Sequence, residues 1–187
     1  MKLKHLLCLM LIFLISAQIT QAGWTAKTSG TTNALHSVYF IGDVGYTVGS
    51  STSIRKSENT GETWTAVTTN TVPQVNSDYK SVWFNDVNTG WVSGTQGRLV
   101  KTTDGGSNWT RQAPHPFNND LYSIEFNGTY GLCVGANATV SYSENTGSTW
   151  TPYNGPSLGG DIFDVYMDSP SIAYACGENG LIVKTTD

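Results

Sequence analysis

The chain has 187 residues, a formal net charge of −4 and only 13% Asp, Glu, Lys and Arg. An acidic, charge-poor chain is unsuited to nucleic acid or an anionic membrane surface, both of which need basic clusters. Abundant Gly, Ser, Thr and Asn, without Leu/Ala/Glu/Lys runs, point to many short strands and turns and away from helices.

Residues 1–22 have the layout of a secretory signal peptide: a short basic start, a wholly apolar run over 6–15, then small or polar residues up to Ala22. The run is too short for a membrane span. Cys8 lies inside it, which argues against a lipid-attached cysteine. Removing the segment leaves residues 23–187 with a net charge of −6. The expected location is secreted, periplasmic or at the cell surface, with no membrane span in the mature part. Gly23-Trp24-Thr25 carries the Trp-Thr pair that later closes each repeat. Residues 24–29 are therefore expected as a lone outer strand that could complete the last blade.

Four repeats follow. Each opens with an apolar strand, at 35–40, 79–84, 121–126 and 162–167, then a turn rich in Gly, Asp and Asn. A second strand ends in Gly49, Gly94, Gly135 or Gly177, and a third carries Ile54, Leu99, Val140 or Ile182 in register. Then comes [Ser/Thr]-x-[Asp/Asn]-x-Gly-x-x-Trp, whose Trp starts a short fourth strand. Its copies are Ser57, Asn59, Gly61, Trp64; Thr102, Asp104, Gly106, Trp109; and Ser143, Asn145, Gly147, Trp150. A fourth copy begins at Thr185 and Asp187. Their starts are 45, 41 and 42 residues apart.

Four antiparallel strands per repeat predict an all-β fold, a β-propeller with blades at 35–69, 79–113, 121–154 and an incomplete 162–187. One sheet cannot bury both faces, so the blades must pack on one another. The sequence stops within a motif, and the expectation is a fragment with further blades in the full-length protein. Residues 30–34, 70–77, 113–119 and 154–160 read as loops between blades.

The motif residues serve the backbone. Asp or Asn holds a tight turn, the Gly takes a conformation closed to a Cβ, the hydroxyl bonds across the turn, and the Trp anchors it. A cation or sugar site is the alternative, but one acidic residue per repeat, with blades holding the copies apart, is a poor ligand set. These residues resemble the Asp box of the BNR-repeat propellers, a superfamily that includes sialidases, sortilin-type receptors and photosystem II stability and assembly factors. Leu99-Val100-Lys101-Thr102-Thr103-Asp104-Gly105-Gly106-Ser107-Asn108-Trp109 is most similar to the last group. Asn59-Thr60 and Asn145-Thr146 depart from its Asp-Gly, a change that a structural turn tolerates. The resemblance implies a non-enzymatic module that binds a protein or an extracellular polymer, and in photosynthetic members one that assists assembly of a reaction-centre protein.

Catalytic constellations are absent from the sequence. A sialidase needs three converging Arg; Arg55, Arg98 and Arg111 sit at different repeat positions, off the first strands, and the Arg-Ile-Pro signature is missing. A sialidase-like glycoside hydrolase with its catalytic residues in a missing part is the alternative. His36 and His115 form no metal or nucleophile pattern, and no cofactor or metal is called for. Cys133 and Cys176 are expected as two buried free thiols, with a disulfide across a blade interface as the alternative. Candidate partner contacts are Tyr79, His115, Phe117 and Tyr153.

Overall fold

The computed structural model describes residues 23–67, 77–112 and 118–186. The signal-peptide segment, His115, Phe117 and Asp187 lie outside the described residues.

Four antiparallel sheets follow one another as propeller blades. Blade 1 is β1 (Leu35–Ile41), β2 (Val44–Gly49), β3 (Ser53–Ser57) and β4 (Thr65–Ala66). Blade 2 is β5 (Tyr79–Phe84), β6 (Gly90–Gly94), β7 (Arg98–Thr102) and β8 (Thr110–Arg111). Blade 3 is β9 (Leu121–Asn127), β10 (Tyr130–Gly135), β11 (Thr139–Ser143) and β12 (Thr151–Pro152). Blade 4 has β13 (Ile162–Met167), β14 (Ala173–Gly177) and β15 (Ile182–Thr185). Strand order within each sheet is sequential. The first strands β1, β5, β9 and β13 contact one another in series and form the inner wall, while the fourth strands lie at the rim. Among the described residues no helix is long and apolar enough to cross a membrane.

Each hydrophobic cluster is a junction between blades. The side of a blade that meets the next one is its trailing face, and the side that meets the previous one is its leading face. Tyr46, Val48 and Ile54 of blade 1 pack on Tyr79, Val82, Phe84 and Trp109 of blade 2. Trp91 and Leu99 pack on Leu121, Ile124, Phe126 and Trp150 of blade 3. Val134, with half-buried Leu132 and Val140, packs on Ile162 and Val165 of blade 4. The core is thus divided among three sheet-to-sheet seams, as a stack of two-faced sheets requires. The Gly that ends each second strand permits a close crossing. A Cβ on Gly135 would lie 1.9 Å from the Asp120 carbonyl oxygen, and one on Gly94 would lie 2.2 Å from that of Asp78.

Three expectations are corrected. Residues 23–29 carry no strand, and Trp24 is fully exposed. The segment lies along the rim of blade 1, where Lys27 Nζ meets Glu62 Oε2 at 2.7 Å, so β15 gains no neighbour from it. Cys133 is buried and free, but Cys176 is free and exposed. Cys133 belongs to the junction of blades 2 and 3, and Cys176 sits on the far face of blade 4, so no single interface brings them together. Tyr79 is fully buried in the first junction and is not a loop contact.

Candidate functional site

Each Asp box is a closed ring of hydrogen bonds. In blade 2, Thr102 Oγ1 donates to Asp104 Oδ1 at 2.9 Å and accepts from the Gly106 N–H at 2.9 Å. Asp104 accepts from the Asn108 N–H at 2.8 Å and from Asn108 Nδ2 at 2.7 Å. The Trp109 indole donates to the Gly106 carbonyl at 3.1 Å. In blade 1, Ser57 Oγ donates to Asn59 Oδ1 and accepts from the Gly61 N–H, while Trp64 Nε1 donates to the Gly61 carbonyl. Ser143, Asn145 and Gly147 repeat the pattern, although the Trp150 indole N–H is buried without a partner. The Asn Oδ1 accepts the same backbone bond as the Asp, at 2.9 Å from Thr63 N and from Thr149 N. That equivalence is the physical reason Asn replaces Asp here. The substitution of Gly by Thr is less comfortable. Thr60 and Thr146 sit at φ 54° and 55°, where blade 2 has Gly105 at 64°, a strain of about 1–2 kcal/mol for each.

The hydroxyl, Asp and Asn side-chain oxygens of the motif bond within their own turns, while the Gly105 and Thr146 carbonyls accept from Tyr46 and Lys101 of the neighbouring blade. Thr185 of the fourth copy lies at the end of β15. Among the described residues no group of three or more His, Cys, Asp or Glu could hold a metal. Arg55 is on β3, Arg98 on β7 and Arg111 on β8, in two blades and none on the inner wall.

The Asp104 carboxyl is held below the usual carboxylate range, first by the Asn108 side-chain amide and then by the Asn108 N–H and Thr102. A depressed folded-state value gives stability that is present above the unfolded value, about 4, and is lost as pH falls through the lower folded one. Asp104→Asn, which installs the residue of the other two boxes, should keep the neutral-pH urea midpoint and flatten this acid limb. Identical acid limbs for the two proteins between about pH 4 and pH 2 would contradict that account.

A second recurring feature is a β-bulge in every inner strand. Pairing skips His36 between Leu35 and Ser37, Lys80 between Tyr79 and Ser81, Tyr122 between Leu121 and Ser123, and Phe163 between Ile162 and Asp164. A bulge frees one side chain from the ladder and re-aims it. Four differing side chains, His, Lys, Tyr and Phe, are thus set in a row along one end of the inner wall, and all four are exposed or half-buried.

Acidic residues hold this row in place. Asp78, Asp120 and Asp161 each precede a first strand and each accept a bond from the second turn of the blade before. Asp78 Oδ1 accepts from Ser51 N at 3.3 Å, Asp120 Oδ1 from Gln96 N at 2.9 Å, and Asp161 Oδ1 from Asn137 N at 3.0 Å. These turns are left-handed, with Ser51, Gln96 and Asn137 at positive φ, and their N–H groups are otherwise free to point at a carboxylate. Asp78 also accepts from Lys80 Nζ at 3.1 Å and lies 3.7 Å from His36 Nε2. Its carboxyl is held below the ordinary range, chiefly by Lys80. Asp161 accepts from the Tyr122 hydroxyl at 3.1 Å. Burial first, and then this carboxylate, push the Tyr122 phenol upward. Tyr122 and Phe163 rings lie 6.0 Å apart. The row therefore runs from polar and charged (His36, Asp78, Lys80) to aromatic (Tyr122, Phe163).

Of the sequence candidates, Tyr153 is exposed beside the rim strand β12, away from this row. The bulges and the carboxylate latches are not apparent from apolar periodicity. Recurrence of Asp one residue before three first strands was the available signal.

Residues 72–187 match the family described as photosynthesis system II assembly factor YCF48. Over 110 residues the chain is 36% identical to the photosystem II assembly lipoprotein Ycf48 of Synechococcus sp. (strain CC9902), covering 57% of this chain and 33% of that protein. YCF48 from Cyanidioschyzon merolae superposes with a TM-score of 0.70 at 21% identity, over 87% of this chain and 56% of that one. The structure of YCF48 bound to D1 peptide gives a TM-score of 0.70 at 21% identity, over 86% and 52%. An ancestral GH74 enzyme also shares the fold, with a TM-score of 0.69 at 20% identity over 87% of this chain and 24% of the enzyme. The chain thus spans about a third of the Synechococcus protein and about half of the YCF48 structures. With two repeated constellations and a family match over more than half its length, the chain belongs to the photosynthesis system II assembly factor YCF48 family of BNR-type β-propellers.

Proposed function

We propose that this is an exported, non-enzymatic propeller that binds a polypeptide segment along the bulge row of its inner wall. The observation that carries the reading is the row itself. One geometric device recurs in four blades, yet it presents His36, Lys80, Tyr122 and Phe163 in turn. A repeated frame with varied side chains is suited to reading an extended chain, with charge at one end and aromatic area at the other. Family membership supports a protein as ligand, because a relative was solved as YCF48 bound to D1 peptide. Export is supported by the basic, apolar and small-residue order of residues 1–22. Glycoside hydrolysis has no support from the placement of the arginines.

The test is capture of a protein partner from the exported fraction of the source cell by immobilised chain. Tyr122→Ala with Phe163→Ala should lower capture at least about tenfold, while circular dichroism and the unfolding midpoint stay close to those of the parent. Phe163 is exposed and Tyr122 half-buried, so the pair can be removed without opening a core. Undiminished capture by the double variant, or turnover of a fluorogenic sialoside by the parent, would exclude the reading.

A further inference from the structure

Charge along the bulge row is balanced at one end and unbalanced at the other. Where blades 1 and 2 meet, Lys80 Nζ is held at 3.1 Å by Asp78 Oδ2, and His36 Nε2 lies 3.1 Å from Ser50 Oγ and 3.7 Å from the same carboxylate. These groups answer one another. Where blades 3 and 4 meet, Asp120, Asp161 and Glu178 gather about the Tyr122 phenol. Asp161 Oδ2 accepts from its hydroxyl at 3.1 Å, and the charges of all three carboxylates act on the phenol in the direction that raises it. Among the described residues no ion pair involves any of the three.

Their hydrogen bonds do not replace a counter-charge. Asp120 Oδ1 takes the Gln96 N–H at 2.9 Å, Asp161 Oδ1 the Asn137 N–H at 3.0 Å, and Glu178 Oε2 the Asp161 N–H at 3.1 Å. A neutral N–H fixes an oxygen in place but leaves the charge of the carboxylate uncancelled. The three groups are thus held at the surface, half-buried or exposed, without a cation. Beside them the Tyr122 and Phe163 rings lie 6.0 Å apart, inclined at 43°. Donation of the Tyr122 hydroxyl to a carboxylate raises the electron density of the ring, so its face attracts a cation more strongly.

On the reading that a polypeptide follows the row, we propose that this end receives a lysine or arginine side chain of it, the cation set against the Tyr122 ring and facing Asp120, Asp161 and Glu178. Exposed ion pairs are weak because water competes for both partners. A ring face shields one side of the cation from water, and the aliphatic stem of the same side chain can lie along Phe163. An acidic segment is repelled by the same three carboxylates. One cation at the blade 3–4 end therefore fixes both the register and the direction of the bound chain.

The probe is a phage-displayed library of random peptides of about twelve residues, long enough at about 3.3 Å each to follow the row, selected on the immobilised chain. Selected peptides should be enriched in Lys or Arg. In one of them made synthetically, replacing the enriched cation by norleucine should weaken binding at least about tenfold by fluorescence anisotropy. Asp120→Asn with Glu178→Gln keeps an oxygen at each hydrogen bond and should retain the circular dichroism and urea midpoint of the parent. With this double variant the norleucine replacement should cost less than about threefold. Tyr122→Leu keeps apolar bulk without the π face and should shrink the loss likewise. Asp43→Asn with Glu144→Gln removes as many charges from exposed positions off the row and should leave the tenfold loss intact. Peptides selected without a cation, a norleucine cost unchanged in the Asp120/Glu178 variant, or an equal effect of the Asp43/Glu144 variant would each overturn the cation site while the row remains a peptide surface. Selection of no peptide above the bare matrix would overturn both.

Discussion

Trp109→Ala should cost about 3–5 kcal/mol of stability, the largest loss expected from any Asp-box substitution. The Trp109 side chain is fully buried, bonds the Gly106 carbonyl at 3.1 Å, and stands edge-on to Phe84 at 6.0 Å. Phe84 is in turn stacked on Tyr46 at 3.9 Å, and the Tyr46 hydroxyl donates to the Gly105 carbonyl at 2.8 Å. Burial raises the Tyr46 phenol to about 12, so this donor keeps its proton throughout the physiological range. Removing the indole therefore empties the seam of blades 1 and 2 and loosens the turn that Tyr46 grips. A loss of that size is a large part of the total stability of a domain, commonly about 5–15 kcal/mol, and corresponds to a melting shift of roughly 6–20 °C. The internal comparison is Trp64→Ala. Trp64 occupies the same motif position but is only half-buried, because among the described residues no blade packs on its side of blade 1. Its loss should cost clearly less. Equal costs in urea unfolding would mean that the motif acts as a local clip and that the seam contributes little.

Gly135→Ala should destabilise by about 3 kcal/mol or more. The added Cβ would lie 1.9 Å from the Asp120 carbonyl oxygen, a backbone atom that no rotamer change can move aside. Relief requires β10 to separate from the start of β9. That breaks the Ala136 N–H bond to the Asp120 carbonyl, now 2.9 Å, and displaces the Asp120 carboxylate from the Gln96 N–H of the previous blade. A single methyl group should thus disturb one blade and its junction together. Gly128→Asn is the control. Gly128 is at φ 65° with nothing near its missing Cβ, and Asn accepts that backbone region at little cost. If both variants unfold at the same urea concentration, the crossing at Gly135 does not limit stability.

The sequence and the structure agree most closely where the determinants are local. The Gly that ends each second strand, the box residues and the apolar positions of each strand all act within one blade. Their spacing identified the four-stranded sheets and the propeller class. Asn for Asp was readable as structural because both offer an oxygen to the same N–H.

Local pattern gave less at the seams. Trp24-Thr25 has the letters of a rim strand, but a strand needs a partner edge, and the segment lies along blade 1 instead. Cys133 and Cys176 occupy adjacent strand positions, which shows that they point to opposite faces. Which opposite faces meet depends on the direction in which the blades follow one another, and that puts Cys133 in a junction and leaves Cys176 exposed among the described residues. Tyr79 borders a loop in sequence, but the first residue of the inner strand is the one driven into the neighbouring blade.

The candidate site belongs wholly to this second category. His36, Lys80, Tyr122 and Phe163 look unremarkable in sequence, because a bulge is a property of two strands in register and not of one strand's composition. Asp78, Asp120 and Asp161 recur visibly, but their partners Ser51, Gln96 and Asn137 lie on other blades. The sequence by itself determined the blade, because turn chemistry and strand periodicity act over a few residues. Only the tertiary structure decided which faces meet and which side chains the bulges turn outward, because these follow from packing one sheet on the next.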